Sequence, residues 1–167
     1  EHVYRLLAQT LSQPSDAGRK RRTGTYNILG CSPELYRAHS DLKEIQNILF
    51  KSLGMRMLAS YTTGGSVEAL KRSGEAEVNL VLRREAIPAA EWMEAAYGIP
   101  YLYGAPYGYA GTLAWISDIA KLLKRQPNQE YIQSMEDRQS LCRQAARKVS
   151  RLRTGIPQTS LFGSYDR

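Results

Sequence analysis

Cysteine is scarce. Cys31 and Cys142 are the only two in 167 residues, far apart and without CxxC spacing. Two cysteines make no disulfide framework, which points to a reduced, cytoplasmic protein. They also fall short of the four thiolates that hold a conventional iron–sulfur cluster, so no cluster is expected on this chain alone. No apolar run approaches the roughly 20 residues that span a bilayer, and no membrane partner is expected. No signal peptide opens at Glu1-His2. An initiating Met is missing and the chain stops abruptly at Asp166-Arg167, which suggests a piece of a longer protein.

Several chemical signatures are missing too. The text after the first predicted strand is Gly30-Cys-Ser-Pro-Glu-Leu35, not GxGxxG, and no P-loop pattern occurs. No His/Cys cluster has zinc spacing. There is no GxSxG elbow and no defensible Ser/His/Asp arrangement. Internal repeats and low-complexity tracts are absent. These absences leave neither a dinucleotide-binding dehydrogenase site nor a triad hydrolase with support.

What is present is a globular composition, 43% hydrophobic and 23% charged, sufficient for one core. The formal net charge of +7 is concentrated locally. Arg19 to Arg22 form one run, and Arg138, Arg143, Arg147, Lys148, Arg151 and Arg153 crowd one helix. Such a field favours an anionic partner, whether an acidic protein, a carboxylated cofactor or nucleic acid, though no nucleic-acid partner is expected for this chain. The plainer reading is a solvated tether and a solvated helix face.

Hydrophobic periodicity orders the chain. Val3 to Leu11 reads as a helix, followed by a loop with Pro14, Gly18 and the basic run. Tyr26 to Leu29 is a short apolar strand. Asp41-Leu-Lys-Glu44 has capping-box spacing, with Asp41 as the cap of a helix that Gly54 ends. Met55 to Tyr61 is a second strand, and Ser66 can cap a short helix through Lys71. Val78 to Leu82, a helix from Ala89 to Tyr97, Ile99 to Tyr103 and a helix from Ala110 to Leu123 follow. Asn128 caps a long polar helix to about Leu152. Ser160 to Phe162 is a candidate further strand. This alternation predicts a Rossmann-like three-layer α/β domain: four parallel strands, or five with that last one, flanked by helices, plus a long C-terminal helix. The expected divisions are 1–24 as N-terminal helix and basic linker, 25–125 as the Rossmann-like domain, and 126–167 as the long helix and the start of a next, truncated domain.

In such sheets ligands bind beyond the carboxyl ends of the strands. The candidate substrate- or cofactor-binding residues are therefore Cys31 and Ser32 after the first strand, Gly64 and Gly65 after the second, Arg83 and Arg84 after the third, and Tyr107 and Gly108 after the fourth. Backbone N–H groups at glycine-rich turns suit anions, and the arginines suit a carboxylated ligand. Each has a bland alternative. Gly64-Gly65 makes a tight turn, Arg83 pairs with Glu85, and Cys31 is a small buried hydrophobe. His39 reads as a residue with a local loop hydrogen bond, and Trp92 and Trp115 as core or interface. No metal ligand and no catalytic residue stands out.

The wording of the sequence goes further. Asn27-Ile-Leu-Gly30, His39-Ser-Asp41-Leu-Lys-Glu44 and Leu53-Gly54-Met55 resemble the middle Rossmann-like domain of nitrogenase component 1-type oxidoreductases. So do Asn79-Leu80-Val81, Tyr97-Gly98-Ile99-Pro100, Pro106-Tyr-Gly108 with Thr112, Thr154-Gly155 and Leu161-Phe162-Gly163. Together they cover about Thr25 to Gly163. The phrasing is most similar to nitrogenase-like enzymes such as the dark-operative protochlorophyllide reductase B subunit. The resemblance implies a fragment of a subunit that pairs with a homologous component 1 subunit and receives electrons from an ATP-dependent iron protein. An iron–sulfur cluster is then expected in the full-length complex, and this fragment alone is expected to be inactive. Alternatives are a cofactor-assembly scaffold of the same family, or a small-anion-binding α/β module. Two departures bear on chemistry. In nitrogenase's catalytic subunit a cofactor-anchoring cysteine follows the third strand, where this chain has Arg83, and a guanidinium cannot replace a thiolate. The protochlorophyllide reductase B subunit tends to carry an acidic residue near the position of Ser150. Arg83 and Arg84 would instead suit a carboxylated ligand, and a tetrapyrrole with acid side chains is one candidate.

Overall fold

A computed structural model describes residues 2–11, 21–32, 34 and 37–153. Four parallel strands form one sheet in the order β2-β1-β3-β4. They are β1 (Arg22–Cys31), β2 (Arg56–Thr62), β3 (Ala76–Val81) and β4 (Tyr101–Tyr103). The helices are α1 (His2–Leu11), α2 (Ala38–Leu53), α3 (Val67–Lys71), α4 (Ile87–Tyr97), α5 (Gly108–Leu122) and α6 (Gln129–Arg153). The predicted Rossmann-like α/β architecture with its long last helix is what the chain adopts. The candidate strand at Ser160 to Phe162 and the first two residues of the basic run, Arg19 and Lys20, lie outside the described residues.

Side-chain alternation along β1 and β3 divides the core into two layers. Tyr26, Ile28, Val78 and Leu80 face α2 and α5, meeting Leu42, Leu49, Ile116 and Ile119. Leu29 and Val81 face the other way, with Tyr61, onto Ala89, Ala90 and Met93 of α4 and Ala8 of α1. Both faces are covered, which explains the nearly continuous apolar character of these strands.

The two asparagines of the motif stretches are partners inside the second layer. Asn27 and Asn79 are cross-strand neighbours and fully buried. Asn27 Nδ2 donates to Asn79 Oδ1 and to the Ser73 carbonyl, both at 2.8 Å. Tyr61 Oη meets Ser73 Oγ at 2.8 Å. Buried amides persist only when paired. Asn79→Leu leaves one Asn27 N–H unpaired and should cost about 1–3 kcal/mol. Asn27→Leu with Asn79→Leu should cost less than the sum of the single changes, because both halves of the pair leave together. Urea denaturation of the three variants checks this, and strictly additive losses would show that the amides act independently.

Several boundaries differ from expectation for physical reasons. Helix α2 starts at Ala38, not after a cap at Asp41. Arg37 holds a left-handed backbone at φ 73°, and Asp41 N donates to Arg37 O at 3.0 Å. The extra turn buries Ala38 in the core beside Leu42. Strand β1 begins at Arg22 rather than Tyr26, because Arg22 is anchored to the buried Glu75 at 2.6 Å. Nearby, Gly24 N donates to Glu77 Oε2 at 2.5 Å, and Arg125 closes on the same carboxylate at 2.8 Å. Strand β4 is shorter than predicted. Pro100 has no N–H for the ladder, and its carbonyl accepts from Asn79 N at 2.9 Å. The expected caps at Ser66 and Asn128 form, each side chain accepting a backbone N–H at 3.2 Å.

Candidate functional site

Strand order reverses between β1 and β3, so a crevice opens beyond their carboxyl ends. The strand ends are stitched together there: Leu82 N donates to Leu29 O, and Gly104 N to Val81 O, each at 2.9 Å. A cleft of about 480 Å³ occupies the crevice. Gly30 and Cys31 form its β1 side, Arg83 its β3 side, and Ala105, Pro106 and Tyr107 the segment before α5. Asp41, Glu44, Ile45 and Ile48 of α2 form the facing wall. A second cleft of about 300 Å³ shares Glu44, Ile48 and Pro106 with the first and reaches Tyr109, Tyr131 and Arg138.

Of the sequence-predicted residues, Cys31, Arg83 and Tyr107 meet in the main cleft, and Gly108 lines the second. Ser32 is half-buried just past β1, and Arg84 is exposed at the start of a short 3-10 turn. Neither lines these clefts. Gly64 and Gly65 turn the chain after β2, where Gly65 packs on the Ser60 carbonyl. The carboxylates Asp41 and Glu44 were missed as site residues, as were Tyr131 and Arg138. The signal for the first two was their i, i+3 spacing on α2, continued by Ile48, which puts them on one helix face. Trp115 is buried in the core as expected, while Trp92 is half-buried and stacks edge-to-face on Tyr97 at 5.5 Å. His39 lies in the first turn of α2 and is exposed, not in a loop.

Electrostatically the cleft is mixed. Arg83 Nη2 lies 3.4 Å from Glu85 Oε1, and both side chains are about half exposed. Such a pair is weak and readily exchanged for another anion. Glu85 is held below the usual carboxylate range by its own backbone N–H and by Arg83. Asp41 and Glu44 form no ion pair with any described residue. In the second cleft, burial and the Glu44 charge push the Tyr131 phenol up, against the opposing effect of Arg138.

Cys31 is buried, with Sγ 3.8 Å from the Ala38 carbonyl, and Thr63 Oγ1 donates to the Cys31 carbonyl at 2.5 Å. Burial pushes its thiol pKa up, a hydrogen bond from Thr63 opposes this, and the Asp41 charge adds to the rise. Cys31 therefore stays a neutral thiol at pH 7, whereas Cys142 is exposed on α6. Iodoacetamide in the native state should label Cys142 first and Cys31 only on unfolding. Because the folded pKa is raised, the stabilisation is full below the unfolded thiol pKa of about 8.5 and is lost as pH rises through the folded value. Cys31→Ala should flatten that alkaline decline in urea titrations, and an unchanged decline would contradict the assignment.

Among the described residues no group of three or more His, Cys, Asp or Glu is arranged to hold a metal ion. With Cys31 buried in the core and Cys142 exposed on α6, the described residues do not fit an iron–sulfur cluster. No helix among them is long and apolar enough to cross a membrane.

The fold and cleft define a doubly wound parallel α/β domain with a ligand-sized crevice at its topological switch point. A family model described as nitrogenase component 1 type oxidoreductase matches residues 1–154, and the chain belongs to that family. It is 31% identical over 127 residues to the B subunit of the light-independent protochlorophyllide reductase of Methylocella silvestris, covering 75% of this chain and 25% of that protein. It is 34% identical over 80 residues to the nitrogenase iron-molybdenum cofactor biosynthesis protein NifE of Methanosarcina barkeri, covering 47% of this chain and 16% of that one. A solved structure of nitrogenase Cp1 at pH 5 superposes with a TM-score of 0.62 at 24% identity, over 81% of this chain and 26% of that one, a likeness of fold. The chain thus spans about a quarter of the length of the curated protochlorophyllide reductase subunits it matches.

Proposed function

We propose that this chain is part of a component 1-type subunit, and that its switch-point cleft forms one wall of a substrate or metallocofactor cavity. The reduction carried out there is driven by low-potential electrons that an ATP-dependent iron protein delivers, with a homologous component 1 subunit as partner. The observation that carries the reading is the convergence of Arg83, Asp41 and Glu44 on one cleft at the strand ends. Arg83 supplies a permanent positive charge for a carboxylated ligand. Asp41 and Glu44 stand where reduction needs protons, and their carboxyls are the groups that would hold and relay them. Ile45, Ile48 and Leu82 give the ligand an apolar surface. Any iron–sulfur cluster is held by residues outside those described.

A dicarboxylic porphyrin, protoporphyrin IX, serves as the probe of this site in the full-length protein assembled with its partner. Arg83→Glu is expected to weaken its binding at least tenfold while leaving iron content unchanged. Binding equal to wild type would remove Arg83 from the site. The likeness to a cofactor biosynthesis protein favours a second reading, a scaffold that holds a metallocofactor and hands it on. Retention of cofactor without turnover in the complete complex distinguishes it.

A further inference from the structure

Strand β2 is an edge of the sheet, and among the described residues it pairs only with β1. Beside its first residues a crevice of about 530 Å³ opens against α2, at the opposite end of the strands from the cleft described above. Tyr26 and Met57, cross-strand neighbours, form its floor. Lys43 and Phe50 of α2 and Arg56 of β2 stand around it. The Arg56 guanidinium carbon lies 5.8 Å from the centre of the Phe50 ring, and Phe50 is 54% exposed. Neither Lys43 nor Arg56 has an ion-pair partner among the described residues.

Tyr26 is the least ordinary part of this crevice. It is fully buried, and its hydroxyl has no hydrogen-bond partner among the described residues. A buried orphan donor carries a desolvation cost that native cores avoid unless something completes it. Cationic side chains on an edge strand can serve simply to discourage aggregation. That role explains neither the orphan hydroxyl nor an exposed phenylalanine beside it. An open backbone edge, two unpaired cations, an apolar ring and an unsatisfied phenol together match one kind of occupant.

We propose that this crevice docks an extended acidic segment of a partner polypeptide. The segment adds as a strand to the free edge of β2, and one of its carboxylates is received by Lys43 and Arg56 and accepts from the Tyr26 hydroxyl. The main-chain ladder supplies affinity, and the cationic crevice selects an acidic side chain. This site is independent of the switch-point cleft.

The test uses the full-length chain and an acetylated octapeptide of alternating Glu and Val, with the Lys-Val peptide as counterpart. Binding of the Glu peptide should slow hydrogen exchange of the β2 amides. Lys43→Glu with Arg56→Glu should weaken it at least tenfold. Tyr26→Phe should weaken it severalfold while leaving the free chain as stable as wild type or more so, which a merely structural tyrosine would not do. The proposal is overturned if the Glu peptide does not bind, if it binds without protecting β2, or if the Lys peptide protects β2 equally. Binding of inorganic phosphate at Lys43 and Arg56 without peptide-induced protection would make this a small-anion site and likewise overturn strand docking.

Discussion

Gly65→Ala is expected to destabilise the protein by about 3 kcal/mol or more. A Cβ at this position would stand 2.1 Å from the Ser60 carbonyl oxygen, far inside any real contact. The obstacle is backbone, not a side chain that can swing away. Ser60 is a β2 residue in register with Ile28 of β1, so relief requires disturbing the pairing of β2 with β1. Gly64→Ala is the built-in control. Its φ of +66° is a left-handed value, but the nearest atom is the flexible Leu42 Cδ2 at 3.2 Å. That change should cost only about 1–2 kcal/mol. Chemical denaturation of both variants decides the matter. Equal losses would mean that the close approach to Ser60 is not what fixes glycine here.

Gly30→Ala should damage both stability and the site. Gly30 has φ +87°, and a Cβ there would lie 2.9 Å from Arg83 N and 3.1 Å from Arg83 Cβ. The end of β1 and Arg83, two residues past the end of β3, approach this closely because they flank the switch point. An alanine forces either a strained backbone or a shift of Arg83, at about 2–4 kcal/mol. The expected signature is weaker porphyrin binding by the folded fraction of the assembled protein, beyond what lost stability explains. Wild-type affinity in the folded fraction would show that the β1–β3 juncture does not shape the ligand site. Gly65→Ala supplies the comparison, since Gly65 lies outside the cleft.

Much of the fold was legible because its determinants are local. Apolar periodicity marked α2, α4 and α5, and the caps at Ser66 and Asn128 form where the residue types placed them. What escaped was set at long range. The start of β1 at Arg22 depends on Glu75, 53 positions away, and the early start of α2 depends on a left-handed arginine that no propensity favours. The same division holds for the site. Reading the residues after each strand picked out Cys31, Arg83 and Tyr107, which share one cleft because the ends of parallel strands converge there. It could not rank Gly64 and Gly65 against them. Whether a strand-end turn faces the crevice or packs on its own strand depends on strand order, and the order β2-β1-β3-β4 puts the crevice between β1 and β3. Asp41 and Glu44 were hidden for another reason. Read as a capping box, their spacing already had a structural explanation, and only the additional helical turn frees both carboxylates to line the cleft.

The most direct measurement is the anaerobic absorption spectrum, with iron content, of the full-length protein co-expressed with its homologous partner subunit. The expected result is broad thiolate-to-iron absorption and stoichiometric iron, retained in Arg83→Glu. A well-folded complex that is colourless and free of iron would contradict an electron-transferring role for this protein.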